Sequence, residues 1–458
     1  MYRFDVVVIG GGGTGSEIAF GLAKRSNLRV ALAERDRLGG ECNHYGCVPT
    51  KVMLRAAKVT HLARRADRFG VRVPSVDVDL PAIQQRARDI VESRSGEDAA
   101  PFERVGVTVF PQEARLVGPR RVELADGTVL EADRVVLATG TEALIPPIPG
   151  LAEGPRWTNR EAIWAPERPP TSLAVIGTGA IGIEFTQMFA RFGTIVTAIE
   201  TDAQVLPNED PEAAAALIPA LEEDGVTVRT GADVEGVDHD GSRWHVQLRG
   251  AGSFDAQELL VATGRAPVFD GHDLAAAGVE LDDEGRPRLS PTLRTTAEGV
   301  WAAGDATGEL LFTHVGTYEA ELVVDDILGR PRERDYTIVP RVTFCDPEVA
   351  SVGLTEPQAR ETGNDVVAVT APIAQNERAV IDDAAHGLVK LVADGRTGSL
   401  LGGHVVAEGA GSMIHEIAAA MAGRVPARVV GQTIHAYPTL SETVKLAFGR
   451  LADRLDER

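Results

Sequence analysis

Two glycine-rich turns in similar local surroundings constrain the fold of this 458-residue chain more than any other feature. The first turn contains Gly10, Gly12 and Gly15, follows an apolar strand-like segment at 4–9, and leads through a helix-prone segment to a second strand ending at Glu34. Such glycines allow a tight turn and a close approach of the backbone to a pyrophosphate, while the acid accepts hydrogen bonds from a ribose. The pattern predicts a dinucleotide-binding unit, with a purely structural turn as the alternative.

The same arrangement recurs later in the chain, with Gly177, Gly179 and Gly182 followed by Glu200. The first glycine and the acid are 24 residues apart in the first unit and 23 in the second. Two units predict two dinucleotides, one passing electrons to the other; the alternative is an inherited duplication in which only one site still binds. Because an acid at position 200 favours an unmodified ribose hydroxyl, NADH is predicted over NADPH.

Further patterns predict an α/β fold divided into three domains. Strand-like segments run into glycine turns at 135–140 and 258–264, and a proline-rich segment at 146–150 indicates a crossover between domains. From about residue 336 the pattern changes to new strands and helices, which indicates a C-terminal α+β domain. The predicted division is 1–148 with 267–335 for the first domain, 149–266 for the second and 336–458 for the third.

Composition excludes several classes of protein. The 44% hydrophobic content is ordinary for a folded globular protein, and the net charge of −21 argues against nucleic-acid or anionic-membrane binding. The apolar run Val6–Ile9 is far shorter than a spanning helix and leads into glycines, so a buried parallel strand is predicted. With no export signal and three cysteines, the protein is predicted to be cytoplasmic.

Two cysteines, Cys42 and Cys47, lie in a glycine-bracketed stretch directly after the first dinucleotide-binding pattern. This position favours a redox-active pair served by a flavin, with a structural disulfide or half of a zinc site as alternatives. Structural disulfides are unusual in reducing compartments, and no second cysteine pair completes a four-ligand zinc site, so no metal is predicted. An ideal helix holds residues five apart too far for a disulfide; we therefore expect a looped or distorted segment, which Gly46 permits.

On these residues the whole chain resembles the pyridine nucleotide-disulfide oxidoreductase family. The most specific match is the motif G-G-x-C-x₄-C-x-P-S/T-K at Gly39–Lys51. The remaining matches follow in the family's order: Ala138–Gly140, Ala262–Arg265, Ala303–Asp305 and Asp346–Gly353, the last resembling the start of the dimer-interface domain.

The resemblance implies FAD in the first domain, nicotinamide in the second, and a homodimer whose active site is shared across the interface. Hydride would pass from NADH to FAD, then electrons to the Cys42–Cys47 disulfide and on to a small disulfide or related acceptor. Cys47 would be the thiolate nearest the flavin and Cys42 the attacking thiol, with Lys51 and Glu184 beside the flavin. The implied FAD-binding residues are Gly10, Gly12, Gly15, Glu34, Gly40, Lys51, Thr139, Gly140, Gly304 and Asp305. The implied NAD-binding residues are Gly177, Gly179, Gly182, Glu200 and Gly264.

One motif departs from the family. Its acid–base segment reads H-P-T-x-S-E, whereas here Tyr437 occupies the histidine position and Glu442 is retained. Tyrosine titrates near pH 10 and is a poor proton shuttle at neutral pH. His435 and His44 are the alternative candidates, although interpretation of each as a packing or surface histidine is favoured over a catalytic role.

This departure leaves several acceptors open. Besides a disulfide, direct reduction of a quinone or dye remains an alternative, as does a flavin-containing redox-sensing subunit. Mercuric-ion reduction is a further alternative, although that branch of the family uses a C-terminal cysteine pair, which 451–458 lacks.

Overall fold

The computed structural model describes residues 2–94 and 99–458. The segment 80–102 is rich in Arg, Glu and Asp and its sequence predicts a helical run, part of which lies outside the described residues. The strands are β1 (Tyr2–Ile9), β2 (Val30–Ala33), β3 (Val107–Phe110), β4 (Ala114–Gly118), β5 (Arg121–Leu124), β6 (Val129–Leu137), β7 (Thr141–Ala143), β8 (Ser172–Ile176), β9 (Ile195–Ile199), β10 (Thr227–Arg229), β11 (Val234–His239), β12 (Trp244–Leu248), β13 (Gly252–Ala256), β14 (Glu258–Val261), β15 (Arg265–Pro267), β16 (Val300–Ala302), β17 (Arg341–Thr343), β18 (Glu348–Gly353), β19 (Val366–Pro372), β20 (Leu388–Asp394) and β21 (Leu400–Ala407). The helices are α1 (Gly13–Arg25), α2 (Gly40–His44), α3 (Cys47–Arg64), α4 (Leu80–Arg94), α5 (Ala100–Glu103), α6 (Asn159–Trp164), α7 (Ala180–Phe192), α8 (Pro211–Glu223), α9 (Leu274–Ala277), α10 (Thr313–Ile327), α11 (Glu356–Glu361), α12 (Glu377–Ile381), α13 (Ala410–Ala422), α14 (Ala427–Gln432) and α15 (Ser441–Asp456).

The chain forms two compact units. The first comprises Met1–Val52, Ala82–Leu144 and Arg265–Asp335, and the second comprises Met53–Pro81, Ile145–Gly264 and Tyr336–Arg458. The three-domain boundaries expected from the sequence stay a prediction.

The first unit is built on a seven-stranded sheet in the order β3-β2-β1-β6-β5-β4, with β16 also paired to β6. Strands β1, β2, β3, β6 and β16 pair in parallel, while β4 and β5 extend the sheet in antiparallel fashion. Val6 and Val8 pack into one hydrophobic core and Val7 and Ile9 into another. Because successive side chains of a strand point to opposite faces, burial of both faces explains the uninterrupted apolar run.

The second unit contains three sheets. A parallel sheet has the order β10-β9-β8-β14, and an antiparallel sheet comprises β11, β12 and β13. The third sheet, in the order β17-β18-β21-β20-β19, is antiparallel and packs against α13 and α15. The α/β prediction, with two parallel dinucleotide-type sheets and a C-terminal α+β part, is confirmed.

Helical structure is interrupted between the two cysteines. Helix α2 ends at His44, Tyr45 adopts a non-helical backbone conformation, and α3 begins at Cys47. The segment is therefore distorted, as the spacing of a redox pair requires.

Across the described ranges, 2–94 and 99–458, no helix is long and apolar enough to cross a membrane.

Candidate active site

The three glycines of the first turn have different structural roles. Gly10 has a φ of +101°, and a Cβ placed there would lie 2.2 Å from the carbonyl oxygen of Ala138. A Cβ on Gly15 would lie 1.9 Å from the carbonyl oxygen of Gly10, so the fold itself requires glycine at both positions. A Cβ on Gly12, by contrast, has its nearest neighbour at 4.0 Å. The missing side chain at Gly12 therefore leaves open space in which a phosphate can approach the backbone.

The second turn shows the same division of roles. Gly177 has a φ of +94°, and its Cβ would lie 2.5 Å from the carbonyl oxygen of Ala262. A Cβ on Gly182 would lie 2.0 Å from the carbonyl oxygen of Gly177, whereas a Cβ on Gly179 would meet nothing within 4 Å. Gly264, with a φ of +127°, also faces open space. In each turn, two glycines are required because a side chain would clash with the backbone, and the middle one leaves room for a ligand.

The acid that follows the first turn is partly occupied by protein donors. The Glu34 carboxylate accepts hydrogen bonds from the backbone N–H groups of Gly11 (2.6 Å) and Asp36 (2.7 Å), one on each oxygen. A carboxylate has about four acceptor positions. Glu34 can therefore accept further hydrogen bonds from ribose hydroxyls.

The acid that follows the second turn has more donors around it. Glu200 accepts from both the backbone N–H and the hydroxyl of Thr178, each at 2.9 Å, from the Thr201 hydroxyl at 3.2 Å and from the Asp202 N–H at 3.1 Å. Burial raises the pKa of Glu200, but these hydrogen bonds outweigh burial and hold the pKa below its usual value. Glu200 is therefore charged and fixed in position, and a ribose hydroxyl must share or replace one of its present donors.

Several further residues predicted from the sequence lie at one edge of the first unit's sheet. Ile9, Leu137 and Ala302, the last residues of β1, β6 and β16, are aligned by the strand registers. Because ligands of parallel sheets bind outside the carboxyl ends of the strands, the residues just beyond these ends line the expected crevice. The hydroxyl of Thr139 is buried there without a hydrogen-bond partner among the described residues, which fits a ligand group that the protein itself does not supply.

The carboxylate beyond β16 is held by a polar cluster. Asp305 accepts a hydrogen bond from the Thr141 hydroxyl (3.1 Å), which in turn accepts from Arg265 Nε (2.8 Å). Arg265 also pairs with Glu41 at 3.5 Å. Burial raises the pKa of Asp305. The neighbouring Gly304 has a φ of +69°, and a Cβ there would lie 2.4 Å from the Thr14 hydroxyl oxygen.

The cysteine segment lies against the first glycine turn. A Cβ on Gly40 would come within 2.7 Å of the Cα of Gly12, and the two backbone stretches form an isolated bridge between Gly12 and Gly39. This close approach places the start of α2 beside the open space at Gly12. The donors, the open glycines and the unsatisfied Thr139 hydroxyl together fit an FAD molecule along this edge.

Neither cysteine of the pair forms a disulfide in this structure, and both sulfurs lie beside the same hydroxyl group. Thr313 Oγ1 donates to Cys42 Sγ at 3.1 Å and lies 3.6 Å from Cys47 Sγ. The hydrogen bond with Cys47 raises the pKa of Cys42 well above its usual value, and burial raises it further. The pair therefore retains one proton, on Cys42, when Cys47 carries a negative charge.

Lys51 and Glu184 belong to different compact units. Lys51 lies one turn after Cys47 on α3. Glu184 is buried on α7, where its carboxylate accepts a hydrogen bond from the Phe344 N–H at 2.9 Å. Their joint placement beside a flavin stays a prediction.

The segment that departs from the family motif, Tyr437–Glu442, contains its own hydrogen bond. Tyr437 is 70% exposed in the single chain. Glu442 accepts a hydrogen bond from the Thr439 N–H at 3.2 Å, close to the start of α15. The retained acid is therefore hydrogen-bonded to the backbone of its own segment.

Both alternative histidines are engaged in packing. The side chain of His435 is 9% exposed; its Nε2 lies 2.8 Å from a Glu416 oxygen and its Nδ1 lies 3.0 Å from the Thr433 carbonyl oxygen. His44 is buried, with Nε2 2.8 Å from the Leu38 carbonyl oxygen. These contacts agree with the interpretation of both as packing histidines, and a catalytic role for either stays a prediction.

Sequence reasoning did not identify three threonines at these sites, Thr141, Thr178 and Thr313. For Thr178 a signal existed, because it is the middle residue of the second glycine turn. Thr313 is 271 residues from Cys42, and no local pattern connects them.

Comparison with known proteins gives matches along nearly the whole chain. Residues 4–320 match the family model for pyridine nucleotide-disulphide oxidoreductase, and residues 339–448 match the dimerisation domain of that family. A dihydrolipoyl dehydrogenase of Chlorobaculum tepidum is 38% identical, with 97% of this chain and 96% of the relative covered. A mercuric reductase of Bacillus cereus is 36% identical, with 97% of this chain and 71% of the relative covered.

A solved structure is similar over nearly its full length. It is the Cu(II) complex of a mutant of the HOCl-induced flavoprotein disulfide reductase RclA from Escherichia coli. The TM-score is 0.88 at 29% sequence identity, with 98% of this chain and 99% of that chain covered.

Proposed function

We propose a specific reaction for this chain, which belongs to the pyridine nucleotide-disulfide oxidoreductase family and is an FAD-dependent enzyme of that family. The family resemblance and the enzyme class expected from the sequence are thereby confirmed, as is the use of FAD and a pyridine nucleotide. The proposal is that NADH is the reductant, that Cys42 and Cys47 form the redox couple, and that a small disulfide is the acceptor.

The observation that carries the proposal is the geometry of the two thiols. Cys42 and Cys47 lie on consecutive helices, both within reach of the Thr313 hydroxyl, and α2 begins against the open space at Gly12. A structural disulfide would have no need for this neighbouring ligand crevice. The position beside the crevice supports a redox role for the pair.

The chain's residues would hold two cofactors. Gly12, Glu34, Thr139 and Asp305 would hold FAD, which when bound accepts hydride from the nicotinamide and passes electrons to the cysteine pair. On the second turn, Gly179 leaves room for the pyrophosphate of the nicotinamide cofactor. A charged acid fixed at position 200 would repel a 2′-phosphate, which supports NADH over NADPH.

The chemical step uses the proton that the pair retains. Cys42 Sγ forms a mixed disulfide with one sulfur of the acceptor as the acceptor's S–S bond breaks and the first thiolate leaves. Cys47 Sγ then attacks Cys42 Sγ, which restores the Cys42–Cys47 bond and releases the second thiolate. Two electrons have moved to the acceptor; one of the two product protons comes from Cys42 and the other from solvent.

An anaerobic NADH titration tests the redox role. Wild-type holoenzyme should take up four electrons per subunit and develop thiolate–flavin charge-transfer absorbance, whereas Cys42→Ser and Cys47→Ser should each take up only two. Cys345→Ala is the matched control, because Cys345 is buried and donates to the Pro347 carbonyl oxygen in the second unit. A wild type that takes only two electrons, into the flavin and with no charge-transfer band, would refute the proposal.

A metal ion is the second candidate acceptor, and Tyr437 is the observation that favours it. Reduction of Hg(II) or Cu(II) requires no proton for a leaving thiol, and both His435 and His44 are engaged elsewhere. One relative is a mercuric reductase and the similar solved structure is a Cu(II) complex.

Steady-state assays with NADH and NADPH separate the candidates. Disulfides, quinones, Hg(II) and Cu(II) are offered to wild type and to Cys42→Ser. Loss of disulfide reduction in the variant, with NADH more efficient than NADPH, supports the first candidate. Turnover of the metal ions alone supports the second, and unchanged quinone turnover in the variant with no other acceptor reduced contradicts both.

A further inference from the structure

The hydroxyl of Thr313 lies against both sulfurs, at 3.1 Å from Cys42 Sγ and 3.6 Å from Cys47 Sγ. Thr313 is the first residue of α10, a helix of 15 residues whose N-cap position is occupied by Phe312. At this position the Thr313 hydroxyl contacts the two sulfurs, whereas a threonine at the N-cap position would use its hydroxyl to cap the helix.

Packing within the first unit holds Thr313 in place. Helix α10 packs against α1, and a Cβ on Gly316 would lie only 2.3 Å from the Thr14 hydroxyl oxygen. One turn along α10 from Thr313, the Thr317 hydroxyl donates to Glu17 at 3.2 Å. This tight contact between the helices sets the position of the hydroxyl relative to the cysteines.

We propose that Thr313 is a catalytic residue whose hydroxyl bridges the two sulfurs and transfers negative charge from Cys47 to Cys42, in place of the base missing at position 437. The proposal rests on the redox role of the cysteine pair proposed above. It gives a route by which Cys42 becomes an attacking thiolate while His435 and His44 keep their present hydrogen bonds.

A hydroxyl can hydrogen-bond to the cysteine pair whether Cys47 or Cys42 is the thiolate, because it has one donor and two acceptor positions and rotates freely. With Cys47 as the thiolate, the Thr313 O–H donates to Cys47 Sγ and accepts from the S–H of Cys42. If the S–H proton moves to Oγ1 while the O–H proton moves to Cys47 Sγ, Cys42 becomes the thiolate. Thr313 then donates to Cys42 Sγ, so the number of protons and hydrogen bonds is unchanged.

The remaining protons also balance. Cys42 Sγ bonds to one acceptor sulfur, and the departing thiolate takes the proton now held by Cys47. Cys47 is thereby ionised again and can displace the second thiolate from Cys42, which takes its proton from solvent. No additional base or oxidant is required.

The electrostatic surroundings support this role. The hydrogen bond with Cys47 and burial both raise the pKa of Cys42, whereas the hydrogen bond from Thr313 lowers it. Cys47 is the first residue of α3 and Thr313 the first residue of α10, so two helix N-termini contribute partial positive charge near the sulfurs. The Thr313 hydroxyl, together with a backbone hydrogen bond of Cys47, therefore favours the thiolate of Cys42.

The test compares Thr313→Val, which keeps the shape but lacks the hydroxyl, with Thr313→Ser, which keeps the hydroxyl. NADH-reduced holoenzyme is treated with iodoacetamide from pH 5 to 10, and alkylation of Cys42 is followed by peptide mass spectrometry. Loss of a hydrogen bond to a charged group should move the Cys42 profile of Thr313→Val up by about one pH unit and slow alkylation at pH 7 by about tenfold. Thr313→Ser should follow the wild-type profile.

Thr317→Val is the matched control, because the hydroxyl that it removes is also on α10 but donates to Glu17 instead of a sulfur. The pH profile of Cys42 alkylation in Thr317→Val should equal that of the wild type. If Thr313→Val lacks FAD after purification, Thr313→Ala takes its place. An unshifted profile in the hydroxyl-free variant, or a shifted one in Thr313→Ser, overturns the proposal. The NADH titration, through its electron uptake and charge-transfer band, tests the redox role of the cysteine pair separately from the role of Thr313.

Discussion

At the scale of single residues, Asp305 combines a buried carboxylate with a defined polar neighbourhood. Thr141 donates to it, and Arg265 approaches through the same threonine. Burial raises the pKa of Asp305, and the nearby Glu41 raises it further, while Thr141 and Arg265 act in the opposite direction. A ligand hydroxyl that donates to Asp305 would therefore bind best to the ionised carboxylate.

This arrangement predicts pH-dependent FAD binding. Because the pKa of Asp305 lies above its ordinary value of 3.8, FAD affinity of the deflavinated protein should fall as the pH drops through that raised pKa. Asp305→Asn should bind FAD more weakly by about tenfold or more, corresponding to the lost charged hydrogen bond, and should lack this pH step. Fluorescence titration of FAD across the pH range provides the measurement.

Glu41→Gln serves as the control, since removal of its negative charge should move the step to lower pH. A step of equal size and position in Asp305→Asn would assign the pH dependence to another group.

At the scale of elements, the two strand–turn–helix units separate the requirements of folding from those of binding. Gly182 lies where α7 packs against the turn, and Gly179 lies where the turn is open. The same separation at Gly15 and Gly12 shows that it belongs to the element rather than to one position. Glycine is therefore required at neighbouring positions for different physical reasons.

Alanine substitutions should reveal this difference. Gly179→Ala should leave the free energy of unfolding within about 0.5 kcal/mol of wild type, since its Cβ meets no atom, but should raise the Kd for NADH because the methyl group occupies the pyrophosphate's approach. Gly182→Ala should lower the free energy of unfolding by about 1–3 kcal/mol through overpacking against the Gly177 carbonyl. Urea unfolding and NADH titration measure the two quantities. Equal effects of the two substitutions on both would contradict the division of roles.

At the scale of the whole molecule, ionic contacts connect distant elements of the second unit. Lys390 on β20 has a side chain 3% exposed and pairs with Asp210 at 3.0 Å, Glu212 at 2.9 Å and Glu356 at 2.8 Å. Burial lowers the pKa of Lys390, but the three carboxylates outweigh it and raise the pKa above its usual value. The ammonium is thus charged and joins the five-stranded sheet to the start of α8.

Removal of the Lys390 charge should lower the free energy of unfolding. Lys390→Met should reduce the free energy of unfolding by about 3–5 kcal/mol, because Asp210 would be buried without its counterion. Since the pKa of Lys390 is raised, its contribution is complete below pH 10.5 and is lost only as the pH rises through the higher folded-state value.

Denaturant unfolding at pH 7 measures the loss. Arg428→Met is the matched control, because Arg428 and Asp456 form an exposed pair on α14 and α15 that should contribute at most about 1 kcal/mol. If both variants lose a similar free energy of unfolding, the buried Lys390 cluster stabilises the protein no more than an exposed ion pair does.

The sequence by itself determined the elements whose signals are local. Spacing and apolar pattern predict the glycine turns, their terminal acids, the buried strand at 4–9 and the strands that run into glycine turns, and the structure has β1, β6 and β14 at the expected positions. The cysteine motif likewise predicted the break between α2 and α3. Each of these depends on residues within one strand–turn–helix unit.

Only the tertiary structure decided which groups meet. The contact of Thr313 with Cys42 spans 271 residues, and that of Asp305 with Thr141 spans 164. The donors around Glu200 and the engagement of His435 by Glu416 also had no counterpart in the sequence pattern. Periodicity specifies which face of an element is buried, but the hydrogen-bond partner of a polar side chain is selected by the packing of distant elements, which local spacing does not encode.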